Sequence, residues 1–237
     1  MRTIFFGEKG SGTYSWFESV FKLLVHKDNW VLDIGSNIGA ATAPLSDLVG
    51  QNGKVICFEP NHFFVEEAKQ NLINRHNITY HTYACGYEYG FMDYYFAFDN
   101  GQVVDHKRNI HVDEIPFHIK YEKTKLSVKS IDTYDFIYKN YVVDIDKIKF
   151  IKIDAEGYDA HILNNLKPLL DKIKPLIQIE WFINNKSIDD KFLVDTIEKV
   201  NYDAFIIVNN TLSNLNINDS MWNSFHGKDL ILKPKCI

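Results

Sequence analysis

A chain of 237 residues, 46% hydrophobic and 24% charged, is long enough to bury a substantial core and is globular in composition rather than disordered. Its net charge of −5 gives no long-range attraction to nucleic acid or anionic lipid, and no apolar run approaches the roughly 18 residues of a membrane span. The three cysteines, Cys57, Cys85 and Cys236, show no CxxC spacing, which argues against a disulfide framework or a structural zinc site. The apolar stretch behind Met1 is too short for a secretion signal, so a cytosolic protein is expected.

Trp16, Phe17, Val20, Phe21 and Leu24 recur at helical spacing and predict an amphipathic helix over about 14–25. Trp30-Val31-Leu32-Asp33-Ile34-Gly35-Ser36-Asn37-Ile38-Gly39 then reads as a buried strand, a tight turn and a helix entrance, with a helix to about Val49 stopped by Gly50 and Asn52-Gly53. Lys54 to Pro60 is a second apolar strand ending in an acid. Asn61 caps a helix to about Arg75, and Ile78 to Ala84 is a third strand. This β-α-β-α-β order implies parallel strands, right-handed crossovers and a doubly wound sheet.

Phe91 to Phe96 reads as an aromatic edge strand. From about Asp99 to Lys125 periodicity lapses, and a stretch that long without regular structure is a candidate acceptor-covering insertion or a solvated loop. Alternation resumes with a strand at Leu126–Ser130, a helix opened by Asp132, and a strand from Ile148 into Asp154-Ala155-Glu156-Gly157. A helix bearing Ile162, Leu163, Leu166, Leu169 and Leu170 follows, then a strand at Leu176–Phe182, a helix over about 188–200, and strands at Ala204–Val208 and Asp229–Lys233. No linker or repeat interrupts the chain, so one domain over 1–237 is expected.

Ligands of open parallel sheets sit beyond the carboxyl ends of the strands where the winding reverses, which brings Gly35, Glu59 and Asp154 together. Glu59 lies about 20 residues past the glycine turn, where a carboxylate accepts both hydrogen bonds of a ribose diol. Dinucleotide folds need glycine two positions after the first one, yet here that residue is Asn37, which disfavours a nicotinamide-dependent oxidoreductase. Asp33 suits an ammonium group and the helix N-terminus suits a carboxylate. Both charges belong to an amino acid, and S-adenosylmethionine carries one on adenosine.

Asp33 to Gly39, Phe58-Glu59-Pro60, Ser130 to Tyr134 and Lys152-Ile153-Asp154-Ala155-Glu156-Gly157, taken in that order, resemble the motifs of the FkbM family of S-adenosylmethionine-dependent methyltransferases. The resemblance covers about residues 30–182 and implies a Rossmann-like seven-stranded sheet, six strands parallel and the last antiparallel, with helices on both faces. It further implies O-methylation of a hydroxyl on a saccharide or small-molecule acceptor. Asp33, Gly35, Asn37, Gly39, Glu59, Pro60 and Asp154 are the expected cofactor contacts. Ala84 and Cys85 join them, standing where many members of the wider superfamily place an acid near the adenine.

A hydroxyl acceptor must lose a proton, and Asp154, Glu156 and Glu180 are the carboxylates expected at the sheet edge to take it. The same acids, if clustered, suit a magnesium ion. Plainer roles compete: Asp33 bonding the turn, Asp154 and Glu156 serving as helix N-terminal acids, His161 packing in a helix, and His226 lying on the surface. Tyr94 or Tyr95 is a candidate for the acceptor pocket. A methyltransferase-like module that binds a partner without turnover is the remaining alternative.

Overall fold

The computed structural model of the protein describes residues 20–99, 102–107, 122–155, 157–180, 187–208, 211–215 and 229–235. The first part alternates as the hydrophobic pattern demands: α1 (20–24), β1 (Trp30–Ile34), α2 (Thr42–Val49), β2 (Lys54–Phe58), α3 (His62–Asn71) and β3 (Ile78–His81). Three consecutive strands follow, β4 (Ala84–Asp99), β5 (Gln102–Lys107) and β6 (Glu122–Asp132). Alternation then returns with α4 (Thr133–Tyr141), β7 (Ile148–Ile153), α5 (Asp159–Asn165), α6 (Lys167–Ile173), β8 (Leu176–Glu180), α7 (Ser187–Lys199) and β9 (Tyr202–Val208). β10 (Thr211–Leu215) and β11 (Asp229–Pro234) complete the strands.

The main sheet has the order β10-β9-β11-β8-β7-β1-β2-β3. β3, β2, β1, β7 and β8 are mutually parallel, while β11 runs antiparallel to both β8 and β9, so β9 shares the direction of the parallel set. Those seven strands are the expected six parallel and one antiparallel. β10 adds an eighth by pairing antiparallel with β9.

Every residue of β1 is buried, as a parallel strand covered on both faces requires. Its alternation assigns Leu32 and Ile34 to one core layer, with Ile151 and Ile153 of β7, Ile137 of α4, Ile162 of α5, Leu169 of α6 and Ile197 of α7. Val31 faces the other layer, with Phe150 of β7, Phe21 and Leu24 of α1, and Leu45 and Val49 of α2. Helices therefore cover both faces. The winding reverses between β1 and β7, which puts the carboxyl ends of β2, β1 and β7 side by side.

Three expectations change. The stretch from Asp99 to Lys125 is not without regular structure, because β5 lies wholly within it and β6 begins there; with β4 they form a separate antiparallel sheet of order β5-β4-β6. Phe91 to Phe96 is thus part of a central strand rather than an edge strand, and Leu126–Ser130 belongs to this second sheet. β4 and β6 pair over most of their length, and such non-local pairing leaves no trace in local periodicity. The leucine-rich helix after Asp154 is divided into α5 and α6, with Pro168 at the start of the second. Of the expected first helix, residues 14–19, and of the insertion, residues 100–101 and 108–121, lie outside the described residues.

Helix starts follow their sequence signals. Asn61 accepts from the Phe63 amide and Asp132 from the Asp135 amide, each filling one unpaired donor of a first turn. Asp132 also approaches the Asn165 amide group at 3.4 Å, joining α4 to α5. Replacing Asp132 by Ala is expected to lower stability by about 1 kcal/mol in urea unfolding, with the slope of the transition unchanged.

Candidate active site

Three strand ends build the site. Gly35 follows β1 with φ of 78°, and its amide and that of Ser36 donate to the Phe58 carbonyl of β2 at 2.9 and 3.2 Å. A Cβ on Gly35 would lie 1.7 Å from the Asp154 carbonyl oxygen, so the turn presses directly against the residue after β7. Only glycine accommodates both the positive φ and that approach. Gly39, with φ of 93°, instead meets Leu72 and Ala68, and its role is close packing of the turn on α3.

Glu59 is 5% exposed at the end of β2. The Asn37 amide donates to its Oε2 at 3.0 Å and the Asn61 amide to its Oε1 at 2.8 Å. Burial pushes this carboxyl up to about 7, and the two amides offset the effect only in part. Asn37 is held in the left-handed region at φ 50°, which suits asparagine. An open cleft lies over these groups. Of the residues expected to contact a cofactor, Gly35, Asn37, Glu59, Pro60, Ala84, Cys85 and Asp154 border it and Asp33 and Gly39 do not, and an apolar wall includes Phe58, Tyr83, Met92, Tyr94 and Ile162. Tyr94, one of the two acceptor-pocket candidates, reaches the cleft from β4, while the side chain of Tyr95 lies outside what is described.

Asp33 does not border the cleft. It is fully buried beneath the turn, where the Thr42 hydroxyl donates to Oδ2 at 2.6 Å and the Lys152 Nζ stands 3.6 Å from Oδ1. The ammonium that it meets in this structure is that of Lys152. Lys152 is 2% exposed and also donates to Asp154 Oδ2 at 2.9 Å. Burial alone would push its ammonium down, but Asp154 and Asp33 overcome that and hold it above the usual lysine range. Asp33 itself is raised by burial, against the lowering effect of Lys152.

Strand register explains the pairing: Cys57, Asp33, Lys152 and Gln178 are successive partners across β2, β1, β7 and β8. The sequence reading missed Lys152 although its signal is present. In Ile148–Ile153, Lys149 is exposed and Lys152 falls where a strand buried on both faces has no room for an unpaired charge.

The expected carboxylates separate. Asp154 borders the cleft with its side chain 32% exposed. Glu180 ends β8, two strands away from β1, opposite Asp229 of β11, and does not border the cleft. Glu156 and His226 lie outside the described residues. The acid at the start of α5 is Asp159, accepting from the Ala155 and Gly157 amides at 2.8 and 2.9 Å, so it shapes the loop that carries Asp154. His161 packs against the Tyr158 and Phe192 rings. Among the described residues no group of three or more His, Cys, Asp or Glu is placed to hold a metal ion; Glu156, one of the acids considered for magnesium, is outside that set. No helix among them is long and apolar enough to cross a membrane.

The sequence model of the methyltransferase FkbM domain matches residues 33–204, most of the chain. The chain belongs to the FkbM methyltransferase family. The fold agrees: the methyltransferase FkbM from Methylobacillus flagellatus KT superposes with a TM-score of 0.55 at 17% identity, covering 91% of this chain and 47% of that one. This FkbM-family chain thus spans about half the length of that relative. Fibrillarin from Aeropyrum pernix, determined with natively bound S-adenosyl-L-methionine, superposes with a TM-score of 0.50 at 11% identity over 93% of this chain and 73% of that one. No curated protein sequence matches the chain.

In the FkbM-family chain, replacing Lys152 by Met leaves Asp33 buried without its cation. Urea unfolding is expected to show a loss of about 3–5 kcal/mol, and adding Asp33→Asn to the same chain should recover most of it.

Proposed function

We propose that this chain is a cytosolic S-adenosylmethionine-dependent O-methyltransferase acting on a hydroxyl of a saccharide or other small-molecule acceptor. Glu59 carries the reading: it is a buried carboxylate on the cleft, its two oxygens oriented by the Asn37 and Asn61 amides. Each oxygen keeps a lone pair beyond its amide partner, the requirement for accepting a vicinal diol. Pro60, Tyr83, Ala84 and Cys85 offer a largely apolar wall for an adenine beside it, and Gly35 and Asn37 supply the floor. Asn37 occupies the position a pyrophosphate would need open, which disfavours a nicotinamide dinucleotide. The cofactor found with the fibrillarin of similar fold supports the same ligand. A buried thiol at Cys57 suits a reducing compartment.

S-adenosylmethionine, when bound, supplies a methyl group on an electron-poor sulfur. What the chain must add is alignment, exclusion of water and a place for the acceptor proton. Met92, Tyr94 and Ile162 provide an apolar enclosure on the acceptor side. Asp154, tied to Lys152, is the carboxylate on the cleft suited to receive a hydroxyl proton as the acceptor oxygen bonds carbon.

Titration calorimetry with S-adenosylhomocysteine tests this. Binding to a diol requires ionised Glu59, whose free carboxyl is raised to about 7; a proton must leave on binding below that value. Affinity is therefore expected to hold above pH 7 and to fall about tenfold per pH unit beneath it, with Glu59→Gln weak and flat across the range. Absence of binding, or binding of NAD instead, overturns the reading. Cofactor binding without methyl release over diverse hydroxyl acceptors would instead indicate a non-catalytic module.

A further inference from the structure

We propose that Asp154, braced by Lys152, makes the cleft select a cationic sulfonium ligand over its neutral thioether counterpart. This rests on the ligand class assigned above and extends it to a charge preference within the same site. The strand order β7-β1-β2 sets the geometry, because the cleft passes from Glu59 after β2, over Gly35 after β1, to Asp154 after β7. A ligand with its ribose on Glu59 that crosses the glycine turn brings its other end to Asp154. In S-adenosylmethionine the part beyond the ribose begins with the sulfonium and ends in the amino-acid group.

Among the described residues the charge on that side is not balanced. Lys152 is one cation between two carboxylates, 3.6 Å from Asp33 and 2.9 Å from Asp154. Asp33 is its register partner in the sheet and wholly buried, so the excess negative charge has one outlet to the cleft, at the partly exposed Asp154. Two further acids lie within electrostatic reach of Asp154: Asp159 and Asp229, each raised to about 6, mainly by burial and further by Asp154. At pH 7.5 both are largely ionised and strengthen the field. A positive sulfur facing this side is attracted through a medium less screening than water, while a thioether sulfur loses that attraction when the methyl group leaves. The product is then the weaker ligand.

Sinefungin, which bears an amine-substituted carbon where the cofactor has its methylated sulfur, supplies the cation without reactivity. In calorimetry on the full chain at pH 7.5, sinefungin is expected to bind about tenfold or more tighter than S-adenosylhomocysteine. Asp154→Asn should cut the ratio to about twofold while S-adenosylhomocysteine still binds, which shows that the variant cleft is intact. Equal affinities in the wild type, or a ratio that survives Asp154→Asn, overturn the inference. If neither compound binds the wild type, the assignment of the ligand class fails and this inference with it.

Discussion

One buried cation organises the middle of this molecule. Lys152 stands inside a parallel strand that is otherwise apolar on its buried positions, and taking an ammonium out of water is tolerable only because Asp33 and Asp154 are both within reach. The register of β1 on β7 is fixed by more than apolar alternation, since slipping one strand by one residue would separate Lys152 from Asp33 and turn them toward opposite core layers. Thr42 extends the connection into α2, and the Cys57 thiol reaches the same hydroxyl at 3.7 Å from β2. Four elements thus depend on one charge.

The cleft grows from that arrangement. The turn after β1 has no side chain at Gly35, so it rests on the Asp154 backbone, and Lys152 fixes the Asp154 side chain from below. On the opposite flank, Asn61 both caps α3 and donates its own amide to Glu59, which couples the start of a helix to the orientation of a binding carboxylate. The two acids on the cleft are held by different means. Backbone amides orient Glu59 without supplying a full positive charge, and burial keeps it near neutral pH, whereas Asp154 has a true cation beside it.

Much of this was legible in the sequence because it depends on local signals. The strand ending at Ile34, the acid at Glu59 and the caps Asn61 and Asp132 are each specified within a few residues, and parallel topology follows from their alternation. Gly35 and Asp154 were expected to converge because the winding reverses between their strands. What escaped were properties of pairing. Asp33 has the chemistry of an ammonium ligand, but its side of the strand is decided by alternation, and that side faces α2 rather than the cleft. Glu180 ends a strand as Asp154 does, yet the sheet order moves it two strands from the turn. The second sheet was invisible for the same reason: β4 and β6 are partners across a long intervening segment, which local periodicity does not encode.

β4 borders the cleft twice. Its first residues, Ala84 and Cys85, border the cleft next to Glu59, and the same strand returns to the cleft at Met92 and Tyr94. Register shifts in the pairing of β4 with β6 gather between Ala84 and Gly90, and from Gly90 to Phe98 that pairing is regular. Met92 and Tyr94 on one side of the cleft and the residues beside Glu59 on the other are therefore carried by one continuous strand, whose irregular stretch lies between them.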